Sequence, residues 1–398
     1  MTGRPVQTIY MDHAATTPLS PDALSAMQPF FAERFGNASS IYSLGQDARQ
    51  AVDQARQRCA AVLNARPSEI VFTSGGTESD NAALMGAAIA LRERGNHIVT
   101  TRIEHHAVLN AAELLEKLGF DVTYVSPGRD GVVSPEAIEA ALTPATSVVS
   151  VMLANNETGV IQPIAAITER VKRIATEQRR TIVMHTDAVQ AAGYLSLDVD
   201  ALGVDLLSLS AHKFNGPKGV GLLYMRRNTP FAPTQVGGAQ ERDRRAGTEN
   251  TPGIVGMSVA LEAADASREA SAAKCLVLRD RLVAGITERI EDAHLNGHPT
   301  RRLPNNVNFT FARVEAEPLL MGLDLAGVAA SSGSACTAAS LEPSHVLIAM
   351  GNPVDQARSS LRLTPGPENT EEEVDYVVDT VAELVLRLRA MTGRSRRR

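Results

Sequence analysis

Between residues 70 and 185, short β-rich runs alternate with helical segments, and that alternation leaves few folds open to the chain. Residues 70–73, 97–101, 122–126, 147–153 and 181–185 are apolar and β-branched, and helical patterns over 78–94, 107–118 and 167–179 separate most of them. Strands joined through helices pair in parallel, because a parallel neighbour needs a long crossover, so the expected class is α/β with a mostly parallel sheet flanked by helices. Before this region Ser20 and Pro21 open a helix by cap and first-turn proline, and residues 46–64 continue as a helix that stops before Pro67. Past Thr251 the pattern changes. A long helical stretch runs through Ile290, strands follow at 307–311 and 359–363, and Thr370 with Glu373 forms a capping box for a final helix. The change places a domain boundary near residue 262, giving a large domain of residues 16–262 and a smaller α+β domain of residues 1–15 and 263–398. Residues 394–398 read as a solvated, frayed end.

The stretch Asp205 to Tyr224, DLLSLSAHKFNGPKGVGLLY, carries the chemistry. An apolar run ends on Ser208, Ser210, His212 and Lys213, then leaves through four glycine and proline positions into a second apolar run. A lysine pinned between two buried runs is partly desolvated, which lowers its pKa and frees the amine to attack a carbonyl as a Schiff-base nucleophile. Ser210 and His212 beside it suit a phosphate; Lys218 reads as a turn lysine that reaches solvent. Thr73-Ser74-Gly75-Gly76-Thr77-Glu78 lies between a strand and a helix, where glycines let backbone N–H groups approach an anion and Thr77 adds a hydroxyl. It fits neither nucleotide-binding glycine pattern, and the plain alternative is a turn with Thr77 as N-cap. Asp187 follows a strand at the edge where open α/β sheets bind ligands, and a protonated pyridine nitrogen would serve as its cation; the plain alternative is a helix cap. Gln190, His105 and the Asn155-Asn156-Glu157-Thr158-Gly159 turn also follow strands. Together with Lys213, these strand ends imply one pocket.

Net charge is −6, from 39 basic and 45 acidic residues, so nucleic acid is not the main ligand and a small molecule is. Cys59, Cys275 and Cys336 are the only cysteines, an odd number without a CxxC pair, which argues against a disulfide framework and a structural zinc site. Cys59 and Cys275 sit in helical patterns as small core hydrophobes. Cys336 lies among small residues, Ser331 to Ser340, in what reads as an exposed, mobile loop whose thiol can meet another molecule. No apolar signal core and no membrane-length run is present, so a cytoplasmic protein is expected.

The chain resembles the NifS/IscS-like cysteine desulfurases, pyridoxal-phosphate enzymes of fold type I in the class V aminotransferase family. The resemblance runs from Met11-Asp12-His13-Ala14-Ala15-Thr16-Thr17-Pro18 through FTSGGTESDN, NNETG, SAHKFNGPKG, RRAGTEN and SSGSACTAASLEPSHVL to SSLRL at 359–363. It implies that Lys213 holds pyridoxal 5'-phosphate covalently, His105 stacks on the ring, Asp187 pairs with the ring nitrogen and Gln190 with the ring hydroxyl. Gly76, Thr77, Ser210 and His212 match phosphate ligands, and Thr248 would reach the phosphate of the neighbouring subunit in a homodimer. Asn156, also in the cofactor site, and Arg362 match the holders of the substrate carboxylate, and Cys336 matches the sulfur-accepting nucleophile. The implied reaction converts L-cysteine to L-alanine, leaves a persulfide on Cys336 and supplies acceptor proteins such as iron–sulfur scaffolds or thiolation enzymes. A selenocysteine lyase or a class V aminotransferase would share the cofactor site, though an aminotransferase has no use for Cys336. A cofactor-free sulfur-carrier scaffold would leave Lys213 and Asp187 without work. Many members carry an apolar, aromatic C-terminal segment that docks a scaffold. Here the sequence ends in Met391-Thr392-Gly393 and an Arg-rich tail, which puts that docking in question.

Overall fold

The structure is a computed structural model that describes residues 8–333 and 343–395, so Cys336 lies outside the described residues. Its strands in chain order are β1 (Ile9–Tyr10), β2 (Ile70–Thr73), β3 (His97–Thr101), β4 (Asp121–Val125), β5 (Thr146–Ser150), β6 (Val183–Asp187), β7 (Leu206–Ser210), β8 (Gly221–Met225), β9 (Ala293–Leu295), β10 (Val307–Phe311), β11 (Val328–Ala329) and β12 (Ser360–Leu363). Seven of them form one sheet in the order β2-β8-β7-β6-β5-β3-β4. Every pair from β7 across to β4 is parallel, whereas β8 runs antiparallel to both β7 and β2. The link from β7 to β8 is too short to cross over, so that pair can only be antiparallel.

Both faces of this sheet are covered, and successive strand residues divide between the two sides. Phe72, Val99, Val149, Met184, Leu207 and Leu222 enter one apolar cluster; Val71, Ile98, Val148, Val183, Leu206 and Leu223 enter the other. Period-two alternation with apolar residues on both sides gives the continuous hydrophobic runs seen in the sequence. A third cluster, built from Leu282, Ile286, Phe309, Val377 and Val381 among others, surrounds the antiparallel sheet β12-β10-β9 and also takes in Met11. The N-terminal strand β1 pairs in parallel with β11, which carries the residues after it alongside the C-terminal half of the chain.

Several boundaries move. The expected strand at 181–185 is Val183–Asp187, so Asp187 is its last residue rather than a neighbour of its end. The strand expected over 147–153 ends at Ser150, and the helix expected from 167 starts at Ile164. The long helical stretch is two helices, Thr251–Ala266 and Arg268–Arg289, broken at Ser267, whose hydroxyl bonds the Ala263 carbonyl. The final helix, Glu371–Ser395, runs into the tail expected to fray, and Thr370 and Glu373 cap it as expected. No helix among the described residues is long and apolar enough to cross a membrane.

One strained segment is tied into the core. Glu241, Arg242 and Asp243 all have left-handed backbone, with φ of 46, 58 and 62°, a conformation that costs about 1–3 kcal/mol per non-glycine residue. Glu241 is buried and receives both Arg56 Nη atoms at 2.7 Å, while its Oε2 also accepts from the Phe72 N–H at 3.0 Å. Arg56 in turn donates to the Ile70 carbonyl at 2.6 Å. Glu241→Ala would leave a buried guanidinium without its anion, and urea unfolding should show a loss of about 3–5 kcal/mol. A loss below about 1 kcal/mol, the scale of an exposed pair, would mean that this ion pair does not hold the segment.

Candidate active site

The ends of β2, β3, β5, β6 and β7 open on one side of the large sheet, and their following residues line a cavity of about 340 Å3. Gly76, Thr77, His105, Asn156, Asp187, Gln190, Ser210, His212, Lys213 and Arg362 all face it. Of the residues named from the sequence, Thr248 is exposed and not part of the wall, and Cys336 lies outside the described residues. The convergence follows from topology, since parallel strands deliver their C-terminal ends to the same edge.

Each local structure has a sequence reason. The helix Gly76–Leu91 starts directly after β2 with Gly75 as its N-cap and no side-chain cap, so Thr77 is a first-turn residue, not the cap of the plain alternative. A Cβ on Gly76 would lie 2.8 Å from Val189 Cγ2 and 3.3 Å from Ser210 Cβ, so only glycine allows this close approach. The helix start leaves first-turn N–H groups to face an anion, with Thr77, Ser210 and His212 around it. Just outside, Ser74, Glu78 and Lys218 line an adjoining recess, and Lys218 is exposed as expected.

Lys213 ends a single tight turn, Ala211–Lys213, that follows β7. Its Nζ donates to the carbonyls of Ala14 (2.6 Å) and Ala15 (2.8 Å), and Gln190 Nε2 donates to the same Ala14 carbonyl at 3.0 Å. His105 is the N-cap of the helix His106–Lys117, its Nδ1 accepting from the Ala107 N–H at 3.1 Å. Burial, with the charge of Lys213 next, lowers both His105 and His212 to about 4, so both rings are neutral near pH 7. Asp187 caps no helix. Its Oδ1 accepts from the Val189 N–H at 2.9 Å, and burial raises its pKa while that N–H and Lys213 lower it.

Arg362 comes from β12 and is 3% exposed. It donates to Asp12 Oδ1 and to the Asn156 carbonyl, both at 2.7 Å, while its Nε and the Asn156 side-chain oxygen are buried without a hydrogen-bond partner among the described residues. Those orphaned atoms mark room for a polar ligand. Asn155, by contrast, is structural: its side chain holds the turn through the Glu157 and Thr158 N–H groups and the Ile103 carbonyl.

Sequence reasoning missed Asp12, Asp80, Glu104 and the Ala14 and Ala15 carbonyls. Asp12, Ala14 and Ala15 are remote from the strand ends in sequence, and Asp80 sits within a helix where a lone carboxylate gives no signal. Glu104 was visible beside His105, but nothing local shows that it is fully buried. Its Oε1 accepts from the Thr101 hydroxyl and the Met152 N–H, yet burial pushes its pKa up to about 8. Folded Glu104 therefore keeps a proton that the unfolded chain has lost, so its contribution to stability is full below the ordinary carboxylate range and is lost as pH rises toward 8. With cofactor stripped, the melting temperature of Glu104→Gln should gain on the wild type steadily over that window. A gap that does not change with pH would show that Glu104 ionises normally.

The donor set suits pyridoxal 5'-phosphate: an anion cradle at one end, an amine for its carbonyl, a buried carboxylate for its ring nitrogen and a neutral imidazole beside them. The aminotransferase class-V family profile matches residues 9–377. A protein named cysteine desulfurase IscS from Methanosarcina thermophila is 51% identical over 386 residues, 97% of this chain and 94% of that protein. The solved structure titled NIFS-LIKE PROTEIN superposes with a TM-score of 0.88 at 38% identity, covering 95% of this chain and 99% of that one. Another, titled SspA in complex with cysteine, has a TM-score of 0.79 at 37% identity and covers 91% and 100%.

Proposed function

Since this chain belongs to the aminotransferase class-V family and is a pyridoxal-phosphate-dependent cysteine desulfurase, we propose that the cavity at the strand ends is where L-cysteine gives up its sulfur. When bound, pyridoxal 5'-phosphate supplies an aldehyde carbon for capture by an amine and a ring that takes up the charge left at the substrate Cα. The remaining work falls to this chain's side chains. The helix start at Gly76 and Thr77, with Ser210 and His212, would hold the phosphate, Asp187 would keep a proton on the ring nitrogen, and Gln190 would bond the ring hydroxyl. His105, neutral near pH 7, would contact the ring. Lys213 would be the covalent anchor for the cofactor, and its amine would carry the substrate Cα proton. Asn156 and Arg362 orient the substrate carboxylate, and Asp12 shares Arg362 with it. The Cys336 thiolate would attack the substrate sulfur, so that an S–S bond forms as the Cβ–S bond breaks and its electron pair, with a proton, ends at Cβ; a persulfide on Cys336 and L-alanine result. The observation that carries this reading is the gathering on one cavity of Asp187 from β6, Arg362 from β12 and Lys213 from the turn after β7.

In the same reading the chain divides near residue 262, and the site lies between the two parts. Exposed Thr248 completes the phosphate site of a second copy in a homodimer. Sulfur then passes from Cys336 to acceptor proteins in the cytoplasm, serving iron–sulfur assembly or thiolation.

The test is alanine release from L-cysteine with Arg362→Ala beside the wild type. Truncating a buried, charge-assisted partner typically costs 2–5 kcal/mol, so KM should rise by about 30-fold or more while the cofactor stays bound. An unchanged KM would remove Arg362 from the substrate site.

A further inference from the structure

Asp80 lies in the helix Gly76–Leu91, is 1% exposed and lines the same cavity as Asp187. Ser208 on β7 hydrogen-bonds its carboxyl, but its Oδ1 has no hydrogen-bond partner among the described residues. His185 Nε2 is 3.6 Å from that oxygen. That ring is engaged elsewhere: its Nδ1 pairs with the Ser150 hydroxyl at 2.8 Å, its Nε2 with the Ser208 hydroxyl at 3.0 Å, and complete burial keeps it neutral. Two further carboxyl groups, Asp187 and Glu104, are buried in the same region. Lys213 is the cation that acts on Asp187.

Neighbouring carboxylates in a dry site cannot all ionise without matching cations. Asp187 has the Val189 N–H and Lys213 to favour its anion, whereas Asp80 has an oxygen with no donor. We propose that Asp80 is a positioning residue for the cofactor ring: it remains a neutral carboxylic acid in the loaded enzyme, holding the proton of the Asp80–Asp187 pair so that Asp187 alone is ionised beside the ring nitrogen. The inference rests on the reading of this cavity as the pyridoxal-phosphate site. It gives the His185–Ser208–Asp80 chain a purpose. Burial holds the imidazole neutral, so that it does not take the proton from Asp80.

Infrared difference spectroscopy of the holoenzyme at neutral pH tests this directly. Wild type labelled with heavy carbon at the aspartyl carboxyls should show a shifted carbonyl stretch from a protonated aspartic acid, which no Glu104 signal can mimic. The wild-type minus Asp80→Asn difference should contain that band, and the wild-type minus Asp187→Asn difference should not. Asp80→Asn, still neutral, should bind pyridoxal 5'-phosphate within about threefold of wild type and keep its absorbance across the pH range, while Asp187→Asn weakens binding by about tenfold or more. A labelled wild type without the band overturns the proposal even if Asp80→Asn fails to fold. An Asp80→Asn protein that binds cofactor as weakly as Asp187→Asn also overturns it. A wild type that takes up no cofactor overturns the cavity reading and this proposal together.

Discussion

Lys213→Ala protein, purified and supplied with pyridoxal 5'-phosphate, is expected to lack the covalent visible chromophore of the wild type and to give no borohydride-reducible adduct at that position. In the proposed reaction Lys213 has two tasks, and both would be lost. Its Nζ reaches the cavity from a turn locked between β7 and β8, held at 2.6 and 2.8 Å by the Ala14 and Ala15 carbonyls. Two backbone carbonyls steady the amine without supplying a full counter-charge, and Asp187 and His105 are close enough for its charge to alter their proton affinity. An alanine offers neither an anchor nor a carrier for the Cα proton. Loss of a positioned proton carrier alone lowers rates by ~10²–10⁴-fold, so alanine release should drop at least that far. The residues proposed to hold the phosphate are untouched, so the variant should still hold the cofactor non-covalently. A variant that keeps the covalent band would place the anchor on another amine.

The second large effect is expected at Cys336. Cys336→Ser replaces the proposed sulfur nucleophile with a hydroxyl that cannot form a persulfide, so alanine release should fall by about 10³-fold or more, the scale on which loss of a reacting group registers. L-cysteine should still bind and shift the cofactor's absorbance, because the residues proposed to hold it are untouched. The other two thiols cannot substitute. Cys59 and Cys275 are both 0% exposed, and burial pushes their pKa values up to about 12 and about 11, so neither supplies a thiolate near neutral pH. Cyanolysis of the enzyme after incubation with L-cysteine should release sulfur from the wild type and essentially none from Cys336→Ser. Turnover at the wild-type rate by Cys336→Ser would overturn the assignment of the sulfur-accepting role.

The sequence by itself determined the features that repeat locally. Apolar runs of strand length with helical segments between them dictate a mostly parallel sheet, and that sheet dictates that Gly76, His105, Asn156, Asp187 and Lys213 arrive at one edge. The capping box at Thr370 and Glu373 and the burial of Cys59 and Cys275 follow from spacing and periodicity in the same way. Tertiary structure decided the rest, because period-two and helical patterns say nothing about partners far along the chain. Arg362 meets Asp12 across 350 positions, and Lys213 meets Ala14 across 199. Arg56 meets Glu241 across 185 positions, on a backbone conformation that no local pattern favours. Asp80 gave no sign of itself in the sequence, since a carboxylate inside a helix is ordinarily solvated. Only the packing of that helix on β7 and β6 buries it near Asp187.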